Sequence, residues 1–128
     1  MNNCKFLYIR NEYRNRDVTI ISDIFSEGDK KFVKFAWTFR NNRDKFVKKE
    51  GAKIALERLE TMEPGYSALV EVDEFKFYKL ATKILSIILE SNKTPLKFID
   101  DISTELDYFN FRSNNKKPSW ESVFDFPT

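Results

Sequence analysis

The first forty residues alternate between apolar and polar positions in the manner typical of β-strands. Segments 5–10, 18–25 and 31–39 are rich in β-branched and aromatic residues and are separated by polar breaks. The break at 26–30 contains Gly28, which can adopt the positive φ that a tight hairpin needs. We therefore predict an N-terminal antiparallel meander of three strands. One face of its third strand is predicted to carry Val33, Phe35, Trp37 and Phe39.

Helical spacing replaces this alternation after residue 40, where apolar residues recur at Val47, Ile54, Ala55 and Leu59. Gly51 lies on the same stripe, although a glycine inside a helix costs about 1 kcal/mol relative to alanine. Close packing against the sheet, where a side chain would not fit, would offset that cost. Residues 66–72 are compatible either with a fourth strand or with an approach to the next helix.

Two further helices are predicted in the second half of the chain. Residues 73–91 carry a wide apolar face, which favours a mostly buried helix. Thr94 as N-cap and Pro95 at the first helical position form a helix start signal, and the apolar stripe of the third helix continues to about residue 110. The predicted core residues are Val33, Phe35, Trp37, Ile54, Leu59, Leu80, Ile84, Leu85, Ile88, Ile102 and Leu106.

These elements together predict an α+β fold for a single domain spanning residues 1–112. A three- or four-stranded antiparallel sheet, the N-terminal meander, packs with three helices in the order βββα(β)αα. Residues 113–128 are predicted to be a linker and an aromatic C-terminal tail that contains Trp120 and Phe124. That tail either folds back over the domain or presents an aromatic anchor to a partner.

Composition narrows the possible chemistry. The chain of 128 residues has no histidine, one cysteine and three scattered glycines. Histidine-based catalysis, an internal disulfide and a glycine-rich phosphate loop are therefore excluded. Carboxylate chemistry stays open, because Asp101 and Glu105 are four residues apart and could, with Asp100, hold one metal ion. The alternative is a solvated helix face, and we predict no catalytic residues, no metal and no cofactor.

Charge is distributed unevenly along the chain. Residues 1–60 carry a net charge of +5 and residues 61–128 carry −3, which together give the overall value of +2. Such a balance permits a surface that binds a polyanion, but it argues against an acidic imitation of DNA. The N-terminal stretch is unlike a signal peptide, and the longest apolar run is too short to span a bilayer. We expect a cytoplasmic protein that does not enter a membrane.

Basic residues concentrate at the start of the first predicted helix. The candidate partner-binding residues there are Arg43, Lys45, Lys48, Lys49 and Lys53. Lys45, Lys49 and Lys53 are spaced by four, so they should project together, although like charges at that spacing oppose helix formation. A phosphate backbone or an acidic protein surface would offset this cost. The alternative is a solvated helix face on which neighbouring acidic residues partly relieve the repulsion between the lysines. Further basic residues at strand ends and in loops would extend the surface if they align with the helix: Arg10, Arg14, Arg16, Lys30, Lys31 and Arg40.

The stretch Phe39 to Leu59 resembles small uncharacterised phage and prophage proteins. Matching positions are Asp44, Phe46, Lys48, Lys49, Gly51, Ile54, Ala55, Arg58 and Leu59. The resemblance implies no catalytic residue, and it implies a phage accessory role such as inhibition of a bacterial defence system. Our leading hypothesis is therefore a non-enzymatic, anti-CRISPR-like protein that binds a bacterial host nuclease or defence complex and inhibits it sterically. The alternative is a nucleic-acid-binding module that uses the basic helix face on DNA or RNA; a metal-dependent enzyme is the third class.

Overall fold

The computed structural model describes residues 4–11, 13–14, 16–40 and 48–114. Four antiparallel strands form one sheet in the order β1-β2-β3-β4. Their bounds are Cys4–Asn11 (β1), Arg16–Glu27 (β2), Lys30–Arg40 (β3) and Ser67–Val72 (β4). The predicted meander is confirmed, and the open question about residues 66–72 is answered by a strand on the edge beside β3.

Three α-helices accompany the sheet, which confirms the predicted α+β fold and its element order. Their bounds are Lys48–Thr61 (α1), Phe77–Glu90 (α2) and Ile99–Asn114 (α3), with a short 3-10 turn at Leu96–Phe98. Gly28 has φ +63° in the hairpin between β2 and β3, as its position predicts. Because α3 continues to Asn114, it passes the predicted domain boundary at 112; Trp120 and Phe124 lie outside the described residues.

Side-chain alternation along the strands divides the core into two layers. Val33, Phe35 and Trp37 face α2 and α3 and are at most 1% exposed. Ile21 and Ala36 point to the opposite face, where α1 packs on them. This division follows from the two-residue period of a strand, which the apolar pattern of β3 already indicated. The residues that α1 contributes to the smaller layer are Ala55 and Leu59, with Leu56 partly buried beside them.

The larger layer is built from the apolar stripes of α2 and α3. The buried residues of the two helices and the 3-10 turn are Ala81, Ile84, Leu85, Ile88, Phe98, Ile102 and Phe109. Leu80 and Leu106, which we predicted to be core residues, are partly buried against this layer. The prediction for Ile54 was wrong, because this side chain is 42% exposed. A helix turns by about 100° per residue, so with Ala55 directed at the sheet, Ile54 lies on the flank of α1 and is open to solvent.

Gly51 makes the close approach that its place on the helical stripe predicted. A Cβ atom at this position would lie 2.7 Å from Oγ1 of Thr19, which is 1% exposed on β2. Real Cβ atoms essentially never approach another heavy atom this closely. The glycine therefore sets how near α1 can lie to the sheet.

The connection between α2 and α3 differs from the prediction. Thr94 was expected to cap the N-terminus of the third helix, but its hydroxyl donates a hydrogen bond to the carbonyl of Ile88. The Ile88 carbonyl also accepts the backbone N–H of Ser91 at 3.2 Å, so Thr94 adds a second hydrogen bond to this carbonyl at the C-terminal end of α2. Pro95 has φ −65° and precedes the 3-10 turn that leads into α3. It therefore marks the start of this 3-10 turn, and α3 itself begins one turn later.

Candidate binding surface

The basic face of α1 is present in part. Lys49 and Lys53 are exposed and one helical turn apart, so their ammonium groups project from the same side of α1. Arg43 and Lys45 lie outside the described residues, as does the side chain of Lys48. The part of the predicted surface that the structure describes is therefore the pair Lys49 and Lys53.

Large apolar side chains accompany these lysines on the same side of the sheet. Phe6 pairs with Ile21, which packs under α1, so Phe6 shares that face and is 43% exposed at the outer edge. Leu69 on the opposite edge strand is 51% exposed, and its partner Lys34 lies two residues from Ala36, again on the face under α1. The sequence pattern did not identify Phe6 and Leu69 as surface candidates. Their exposure arises because α1 does not cover the two edge strands of the sheet.

We call the surface formed by Phe6, Lys49, Lys53, Ile54 and Leu69 the α1-bearing face. The Phe6 ring stacks on Tyr8 with the ring centroids 6.1 Å apart and the planes at 12°, which limits the orientations of Phe6. Burial raises the pKa of the Tyr8 hydroxyl. The exposed apolar side chains of this face all belong to regular elements: Phe6 to β1, Leu69 to β4 and Ile54 to α1.

Arg16 does not extend the basic surface, because it forms a partly buried ion pair with Asp101. Its Nε lies 3.0 Å from Oδ2 of Asp101, and its Nη2 donates to Oδ1 at 3.2 Å. Asn11 donates a further hydrogen bond to the same carboxylate at 2.8 Å. These contacts tie α3 to the first two strands. The hypothesis of a solvated Asp101 was therefore wrong.

Asp101 is also a poor candidate for a metal ligand. Burial raises the pKa of this carboxyl, but the hydrogen bonds from Arg16 and Asn11 outweigh that effect and the pKa is lowered overall. The lone pairs that a metal would need are thus directed at three donor groups. Burial raises the pKa of its neighbour Glu105. Within the described ranges, no cluster of three acidic or sulfur ligands could hold a metal ion.

Arg40 is engaged in a second ion pair on the face under α1. Its Nε donates to Oδ2 of Asp17 at 2.7 Å, and the Asp17 side chain is 3% exposed. Since a buried carboxylate without a partner is costly, this arginine stabilises the sheet where β2 and β3 pair. Arg16 and Arg40 therefore form ion pairs within the domain and do not extend the basic surface of α1.

A second group of functional candidates was not selected from the sequence. Arg58, Lys93 and Lys97 converge at a cavity beside Tyr66. These residues come from α1 and from the α2–α3 connection, which are far apart in the chain. Their spacing in the sequence follows no helical or strand period, so no local pattern indicates that they meet.

Comparison with known proteins adds no assignment: no family model, no curated protein and no solved structure matches the chain. Among the described helices the longest has 16 residues, and none combines the length and apolarity that a membrane span requires.

Proposed function

We propose that the protein is a non-enzymatic accessory factor that binds another protein through its α1-bearing face. Support comes from one observation above all. Three large apolar side chains, Phe6, Ile54 and Leu69, stay 42–51% exposed on the side of the sheet that carries α1 and its exposed lysines, Lys49 and Lys53. Phe6 and Leu69 lie on the two edge strands with α1 between them, so apolar groups flank a basic helix. Large apolar side chains interspersed with charged ones are common in protein–protein interfaces. The partner surface should therefore combine an apolar depression with acidic groups.

The biological setting of this proposal comes from the phage-like stretch between Phe39 and Leu59. A small phage protein that covers a surface of a host nuclease or defence complex blocks that surface sterically, without chemistry of its own. The site of action would then be the bacterial cytoplasm. Trp120 and Phe124 of the C-terminal tail are proposed as additional aromatic contacts with the same partner.

The test is a pull-down with tagged full-length chain from nuclease-treated bacterial lysate, read by mass spectrometry and quantitative gel analysis. A stoichiometric host protein should be captured, and Lys49→Glu with Lys53→Glu should reduce its recovery by about tenfold, because both changes repel an acidic surface. The matched control is Lys79→Glu with Lys83→Glu. These two lysines have the same spacing on α2, in the other helical layer. Capture that is equally reduced by both pairs would contradict the proposal.

A second pair of variants tests the apolar part of the same surface. Ile54→Asp should weaken binding by more than tenfold, since a central apolar contact of this kind can contribute about 2 kcal/mol. Leu96→Asp is the control, because Leu96 is 88% exposed in the 3-10 turn on the opposite side of the sheet. Unfolding midpoints of all variants show whether the fold is retained. Recovery of nucleic acid instead of protein, lost with the Lys49 and Lys53 changes, would establish the nucleic-acid-binding alternative.

A further inference from the structure

The cavity beside Tyr66 lies apart from the lysines of the α1-bearing face. It has a volume of about 350 Å³, which is within the range of small-ligand sites. Arg58 lies on α1 about half a turn away from Lys49, so the cavity and the two lysines of the α1-bearing face are on different flanks of this helix. Ile54 lies one turn before Arg58 on the cavity flank, so a ligand here would leave Lys49 and Lys53, but not the whole α1-bearing face, clear of the cavity.

Positive charge is the main property of the cavity wall. Arg58, Lys93 and Lys97 line it, and none of the described residues that line it is acidic. In the part of the chain that the structure describes, neither lysine has a carboxylate within ion-pair distance. Arg58 is paired with Glu63, whose Oε1 lies 3.8 Å from its Nε, whereas the two lysines repel each other unless an anion lies between them. A phosphate group there would meet all three cations with charge-assisted hydrogen bonds.

The guanidinium of Arg58 is held in position by its surroundings, and the stem of Lys93 packs against the backbone. The guanidinium of Arg58 stacks 3.8 Å from the centre of the Tyr66 ring, and its Nη1 donates to the backbone carbonyl of Trp37 at 2.9 Å. The stem of Lys93 lies against Gly65, where a Cβ atom would come within 2.5 Å of its Cγ. Gly65 has φ +84°, a conformation that favours glycine, so any larger residue there is disfavoured on two grounds. Such preorganisation lowers the entropy cost of binding an anion.

Aromatic rings form the rest of the wall. Phe39, Tyr66 and Phe98 line the cavity, and the Phe39 and Phe98 centroids are 4.9 Å apart. Phe98 is 1% exposed and is covered by its neighbours, whereas Phe39 and Tyr66 are partly exposed. A planar base can stack on such a ring, or on the outer plane of the Arg58 guanidinium, next to a phosphate held by the lysines.

We propose that this basic cavity binds a nucleoside 5′-phosphate, with the phosphate between Arg58, Lys93 and Lys97 and the base against the aromatic wall. The ligand is either a free nucleotide or the 5′-phosphorylated end of a nucleic-acid strand, since both present the same group. The proposal is independent of the protein-binding function, because it concerns different residues and a different ligand.

The experiment is a titration of the ¹⁵N-labelled full-length chain with AMP, inorganic phosphate and adenosine, followed by chemical-shift changes in the amide spectrum. AMP should give saturable shifts centred on residues 65–66 and 93–98, and phosphate or adenosine alone should bind at least tenfold more weakly. A trinucleotide with and without a 5′-phosphate separates the two sources: only the phosphorylated strand should shift the same residues. Absence of saturable shifts with both AMP and the phosphorylated strand would overturn the proposal.

Variants at the lysines provide the matched comparison. Lys93→Gln with Lys97→Gln should weaken AMP binding by at least tenfold, because each removes a charged donor from the phosphate. Lys79→Gln with Lys83→Gln removes the same charge from α2 outside the cavity and should leave affinity within twofold. All four lysines are exposed, so the fold should be retained in both proteins. Inorganic phosphate that binds as tightly as AMP, or equal losses in the two proteins, would refute the nucleotide assignment.

Discussion

The close approach of α1 to the sheet leads to a sharp prediction about Gly51. Replacing a solvent-exposed helical glycine by alanine stabilises a helix by about 1 kcal/mol. At Gly51 the added methyl group would lie 2.7 Å from Oγ1 of Thr19, so α1 must move outward or Thr19 must leave its position. Overpacking of this kind costs about 1–3 kcal/mol. Gly51→Ala should therefore lower the free energy of unfolding by about 1 kcal/mol, the reverse of the helix-propensity effect.

A double-mutant cycle isolates the clash from the helix propensity. In a Thr19→Ala background Oγ1 is absent, the nearest remaining atom is Cβ at 3.4 Å, and Gly51→Ala should stabilise the protein by about 1 kcal/mol. The coupling between the two positions is then about 2 kcal/mol. Urea unfolding of the four proteins measures the coupling from the midpoints and slopes. Each change of about 1 kcal/mol corresponds to about 4 °C in Tm for a chain of this length.

Gly28 provides the control, because this glycine is required for its backbone conformation and not for close packing. It adopts φ +63° with no atom within 4 Å of an added Cβ, so Gly28→Ala should cost about 1 kcal/mol through the backbone alone. That cost should be the same with threonine or alanine at position 19. If Gly51→Ala stabilised the protein in the presence of Thr19, the close packing of α1 on β2 would be refuted.

Two further predictions concern the ion pair and the tail. Asp101→Asn should lower stability by about 1–3 kcal/mol at pH 7, because the partly buried Arg16 loses its charged acceptor. Since folding lowers the pKa of Asp101, its stabilisation is complete above the ordinary carboxyl range near 4 and is lost as the pH falls through the folded-state pKa. Urea midpoints at pH 7 and pH 3 should therefore show a smaller difference at pH 3, and an equal difference would contradict this role of the ion pair. Removal of residues 115–128 leaves α3 complete and should change Tm by less than about 2 °C while weakening partner capture; a drop of about 10 °C would show instead that the tail stabilises the domain.

Only part of the candidate sites could be predicted from sequence patterns. Lys49 and Lys53 could be identified in advance, because their spacing alone places them on one face of a helix. Phe6 and Leu69 could not, because a strand residue is covered or exposed according to the width of the helix that crosses the sheet. The cavity cations were also missed, since Arg58 meets Lys93 and Lys97 only through the packing of separate elements.

Local periodicity determined most of the fold from the sequence alone. The alternation of Val33, Phe35 and Trp37 specifies a strand with one apolar face, and the stripe of α2 specifies a helix with a buried side, because both depend only on backbone geometry. The tertiary structure decided which faces meet: it exposed Ile54, added β4 to the sheet, and brought Asp101 to Arg16. These outcomes depend on packing and electrostatics between residues distant in the chain, which the period of a single segment does not contain.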